Sequence, residues 1–131
     1  MTAKRFFIFA LLAGLFLGSN VVPALAHHST AEYDMAKSSS VKGTVTQFQW
    51  SNPHAYIYIE VKSDKGDIQK WSGELPPLGL LSRFGWKRDT VKPGDQITLY
   101  GNLAKDGRFL IRLDKITLPD GRDLEAGKVT F

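Results

Sequence analysis

The chain has 131 residues, 43% of them hydrophobic, with 17 Lys and Arg against 13 Asp and Glu and no cysteine. The lack of cysteine excludes a disulfide framework, a thiolate metal centre, a thiol nucleophile and a redox pair. The net charge of the whole chain is +4.

Residues 1–26 have the organisation of a cleavable secretory signal peptide. Lys4 and Arg5 give a positive start, and Phe6 to Leu17 is an almost wholly apolar run. Gly18, Ser19 and Asn20 break the run, and Ala24-Leu25-Ala26 offers a small-x-small cleavage site. An apolar run of about a dozen residues is too short for a bilayer, which needs about 20. The expected product is a periplasmic chain beginning at His27, with no stable membrane anchor. Its net charge is +2, because Lys4 and Arg5 leave with the peptide, and that mild balance with both signs interspersed is not the footprint of a nucleic-acid binder. Export also argues against a nucleic-acid partner and leaves a protein partner open.

Residues 27–40 read as a polar, irregular N-terminal arm ending in Ser38-Ser39-Ser40. The domain proper is expected over residues 41–131. Val41, Gly43, Val45 and Phe48 form a β-type run, with Gly43 as the place for a bend or bulge. Ser51-Asn52-Pro53 is a turn. Ala55 to Val61 then alternates, with Ile57, Ile59 and Val61 on one face and Tyr56, Tyr58 and Glu60 on the other. Asp64-Lys65-Gly66-Asp67 turns the chain into a partner strand, Ile68 to Leu75. A short helix is expected over Pro76 to Phe84, started by proline and followed by Gly85. Lys92-Pro93-Gly94-Asp95 leads into Gln96 to Leu103. Lys105-Asp106-Gly107 turns that strand onto Phe109 to Leu118, which Pro119-Asp120-Gly121 ends. Five strands with one helix between the third and fourth predict an all-β, OB-like Greek-key barrel, with a flat sandwich as the alternative.

Chemistry concentrates on three histidines, His27, His28 and His54. Cleavage after Ala26 gives His27 a free α-amine, which loses its proton near pH 7.7–8.0 in unperturbed form, as a rough reference. Amine and imidazole of one residue can then chelate a metal, and a second imidazole completes a planar three-nitrogen set, a histidine brace. Such a set suits Cu(II) above other first-row divalent ions. His54 on its proline corner is the expected third nitrogen, and His28 is its rival. Met35 is read as a weak axial ligand or, in preference, a hydrophobic fastener for the arm. The bland alternative makes the paired histidines a solvated tail and His54 a turn cap.

A second group is aromatic. Trp50, Tyr56, Tyr58, Trp71 and Trp86 lie on or beside the expected sheet, and Tyr56 with Tyr58 offers a platform for flat or sugar-like ligands. Arg83, Lys87 and Arg88 flank Trp86 and suit an anionic group. The alternative is that the rings plug the barrel ends and the charges are solvated. Glu60, Glu74 and Asp89 are scattered carboxylates with no base partner identifiable from sequence. Without Gly-x-Ser-x-Gly, His-Glu-x-x-His or a phosphate-binding glycine loop, a non-catalytic protein is expected.

His27-His28-Ser29, Val41-x-Gly43-x-Val45, Trp50-x-Asn52-Pro53-His54, Gly79-Leu80-Leu81, Trp86-x-Arg88-Asp89 and Lys92-Pro93-Gly94-Asp95 together resemble a group of small bacterial periplasmic proteins classed as a domain of unknown function. The resemblance implies an exported bacterial protein and does not carry an activity, since none is established for the group. It makes His27, His28, Asn52, Pro53, His54, Trp86 and Arg88 hallmark positions. The expectation is therefore a periplasmic binding protein, with copper held by His27, His54 and His28. The alternative is a metal-independent module that receives a small molecule, glycan or protein on Trp50, Tyr56, Tyr58, Trp86 and Arg88.

Overall fold

The computed structural model describes residues 30–127. Six strands run in the order β1 (Ser39–Gln49), β2 (Tyr56–Lys62), β3 (Ile68–Glu74), β4 (Gln96–Leu103), β5 (Leu110–Thr117) and β6 (Asp123–Glu125). Helix α1 (Leu78–Arg83) lies between β3 and β4. The sheet order is β3-β2-β1-β4-β5-β6, and a parallel pairing of Ser72–Glu74 with Leu110–Arg112 joins β3 to β5. That pairing closes the first five strands into the barrel of the OB-fold.

The alternation expected in β2 holds because Ile57 and Ile59 face the core while Tyr56, Tyr58 and Glu60 face outward. Val45, Ile97, Leu99, Ile111, Leu113 and Ile116 complete the interior. Leu81 of α1 and Trp86 just after it are buried with them.

Three local features differ from the sequence expectations. The irregularity in β1 falls at Thr46, between the pairs Val45↔Ile59 and Gln47↔Tyr58, and not at Gly43. Gly43 answers a close approach instead, since a Cβ there would lie 2.5 Å from the Glu60 carbonyl oxygen. Pro119-Asp120-Gly121 ends β5 as expected, but the chain turns there into a sixth strand, β6, whose three residues pair with Lys115–Thr117. Ser39 and Ser40 are not the end of the irregular arm but the start of β1, paired with Gly101 and Tyr100.

From Thr30 onward the arm is built into the fold. Tyr33 is 1% exposed, forms a β-bridge with Ala104, and follows a 3-10 turn at Thr30–Glu32. The Asp34 amide donates to the Leu103 carbonyl, and the Lys105 amide donates to that of Glu32. The buried Asn102 side chain donates to the carbonyls of Asp34 and Lys37 at 3.0 and 2.7 Å. A buried amide satisfied in this way holds the arm against the end of β4. Met35 is not the fastener, being 47% exposed; Tyr33 is.

Candidate functional site

The Asn52-Pro53-His54 corner connects β1 to β2, and each of its residues has a separate task. The Asn52 side-chain oxygen accepts from the Leu78 amide at 3.0 Å, which ties the corner to the first turn of α1. The Asn52–Pro53 peptide is cis. His54 turns its ring toward the end of β3, where Nδ1 lies 3.1 Å from the Leu75 carbonyl oxygen and 3.3 Å from Oε1 of Glu74. Backbone pairing continues beneath the ring, since the Leu75 amide donates to the Ala55 carbonyl.

Glu74 is 5% exposed, and a buried carboxylate needs donors. Its Oε2 accepts the hydroxyl of Tyr33 from the arm, while its Oε1 faces His54. Glu74 therefore joins two segments distant in sequence, the docked arm and the proline corner. The sequence gives no sign of this partnership, because nothing local to Glu74 distinguishes it from Glu60 or Asp89.

The protons on these groups follow from their neighbours. A carbonyl oxygen only accepts, so the contact with Leu75 requires a proton on Nδ1 of His54. In the neutral ring the lone pair is then on Nε2. Burial, the hydrogen bond to Glu74 and the nearby carboxylate charge all push the Tyr33 phenol far above its ordinary range. Tyr56, paired with Glu74 across β2 and β3, is pushed up to about 12 by burial and by the charges of Glu74 and Tyr58. Both phenols ionise more easily in the unfolded chain, where the reference value is about 10. Their contribution to stability is therefore intact below about pH 10 and lost as pH rises through the folded-state values. Urea midpoints measured in steps from neutral to strongly alkaline pH should fall in that window, and Tyr56→Phe should remove the part of the fall that runs from about pH 10 to about pH 12.

The other residues singled out from sequence lie as follows. Tyr56 and Tyr58 stack with ring centroids 6.1 Å apart and planes 21° apart, on the outward face beside His54. The Tyr58 hydroxyl donates to Gln49. Trp50 is half-buried and meets Phe48 edge-on at 5.6 Å. Trp71 packs against Phe109 at 5.1 Å. Trp86 is 2% exposed and donates its indole N–H to the Glu125 carbonyl at 2.7 Å, so it belongs to the core and not to an outer aromatic face. Arg83, Lys87 and Arg88 are exposed around the end of α1. His27 and His28 lie outside the described residues. Among the described residues no three His, Asp or Glu side chains are grouped to hold a metal.

No curated protein matches the chain. Among solved structures it is similar to the mitochondrial single-stranded DNA binding protein Rim1 of S. cerevisiae, with 12% identity and a TM-score of 0.47. That alignment covers 70% of this chain and 96% of the other. The chain is also similar to TiaS, a tRNAIle2 agmatidine synthetase, with 20% identity and a TM-score of 0.44. There 63% of this chain is covered, and it spans 18% of the TiaS chain. Similarity at this level carries no ligand or partner to this chain. A model for a family of unknown function matches residues 15–110.

Proposed function

This chain belongs to the DUF6152 family, whose function is unknown, and from its own residues we propose a periplasmic, non-catalytic copper-binding protein that acts in metal handling. Signal cleavage after Ala26 supplies the α-amine and ring of His27, the corner supplies the ring of His54, and His28 assists. A set of nitrogen donors of this kind favours Cu(II). The mixed charge of the exported chain gives nucleic acid no part in this reading.

The observation that supports it most is the sharing of Glu74 by Tyr33 and His54. Tyr33 follows His27 by six residues. Its docking shortens the tether between the mature N-terminus and the site to a segment of about 20 Å at full extension. A short tether raises the effective concentration of one ligand near another to about millimolar. Without the docked tyrosine, the whole arm and β1 would separate the two histidines.

Calorimetric titration of Cu(II) into chain beginning at His27 should show one copper per chain. His54→Ala should weaken binding by about tenfold or more, with strand content unchanged by circular dichroism. His28→Ala should matter less. Loss in His28→Ala with none in His54→Ala would assign the copper to the N-terminal pair alone. A second reading, a metal-independent binding surface, is favoured by the outward Tyr56–Tyr58 stack. Its ligand would bind equally with copper absent.

A further inference from the structure

We infer that Glu74 is the positioning carboxylate of the copper site, directing His54 to take the metal through Nε2. This rests on the copper reading above and adds to it the ligating atom and the group that orients it. The geometry supports it at three points. Glu74 is 5% exposed, so its charge is screened little by water. Its Oε1 lies 3.3 Å from Nδ1 of His54, and the Leu75 carbonyl beside it requires the proton to stay on that nitrogen. Its Oε2 is held by the Tyr33 hydroxyl, which stops the carboxylate from rotating away from the ring.

A carboxylate behind an imidazole does two things for a bound cation. It fixes the ring's tautomer and orientation, and it raises the basicity of the far nitrogen. Here it also places a negative charge near the metal without making Glu74 a ligand. Tyr33 gives the same carboxylate a second use, because the segment that carries the N-terminal ligands docks on it.

Glu74→Gln isolates the charge. The amide keeps the size and shape of the carboxylate beside Nδ1 of His54, whose proton stays on the Leu75 carbonyl, and the amide nitrogen can donate to a rotated Tyr33 hydroxyl. The expected result, with Cu(II) alone as probe, is an affinity about 10–100-fold lower than wild type, the usual size of an outer-shell effect. The copper resonance spectrum should change while strand content does not. Wild-type affinity in Glu74→Gln overturns the inference and leaves the copper reading intact. Failure of wild-type protein to bind copper overturns both. Should the variant not fold, long-range nitrogen–proton correlation on metal-free wild type reads the tautomer of His54 directly. A proton on Nδ1 is expected, and a proton on Nε2 overturns the inference without reference to copper.

Discussion

One extra residue placed before His27 is expected to weaken Cu(II) binding by more than about a hundredfold. Outer-shell changes at metal sites cost about 10–100-fold, and this extension removes a ligand itself. It converts the α-amine of His27 into an amide with no basic lone pair and destroys the chelate that amine and imidazole form together. The fold should not change, because the extension lies beyond the arm residues that dock on β4 and Glu74. Affinity in the unmodified chain should also fall as pH drops below the amine and imidazole values, since protons compete for the same lone pairs. Side-by-side calorimetry of the two forms measures the difference. Equal affinities would show that the amine takes no part.

Gly101→Ala should unfold the barrel more readily than any change at the site. A Cβ at Gly101 would lie 1.8 Å from the Arg112 carbonyl oxygen and 2.8 Å from its carbon. Both obstacles are backbone, so no side chain can rotate to make room. The position follows a register shift, with Tyr100 opposite Lys115 and Gly101 opposite Leu113. The close approach belongs to that bulge. Overpacking costs typically about 1–3 kcal/mol and occasionally more. Here the upper end is expected, because relief means separating β4 from β5. At about 4–8 °C per kcal/mol for a domain near this size, the melting temperature should fall by roughly 12–24 °C for about 3 kcal/mol. The damage should reach the arm as well, since Asn102, the next residue, holds the carbonyls of Asp34 and Lys37. Thermal melts followed by circular dichroism test this, and a drop of only a degree or two would show that the strands accommodate the methyl group.

The barrel was legible because its signals are local. Ile57 and Ile59 alternate with tyrosines over consecutive positions, and each hairpin carries its own turn residues. The helix after Pro77 likewise shows proline at one end and glycine at the other. The bulges at Thr46 and beside Gly101 were hidden, because they depend on how two strands meet and not on either strand alone. Tyr33 was hidden for a different reason. A single aromatic ring in a polar segment makes no period, yet long-range contacts with Ala104 and Glu74 bury it almost completely. At the site, His54 stood out by rarity and by its proline corner. Glu74 did not, since its value comes from partners 20 residues back and 41 residues back along the chain. Trp86 shows the opposite error, a conspicuous residue whose place is the core.

In the copper reading, the mature N-terminus and the proline corner hold one copper between them. Electron paramagnetic resonance of chain beginning at His27, loaded with one equivalent of Cu(II), is to be compared with the spectrum of His54→Ala. An axial spectrum with nitrogen couplings is expected in the wild type, with loss of the His54 contribution and shifted copper hyperfine splitting in the variant. Superimposable spectra from the two proteins would overturn that reading.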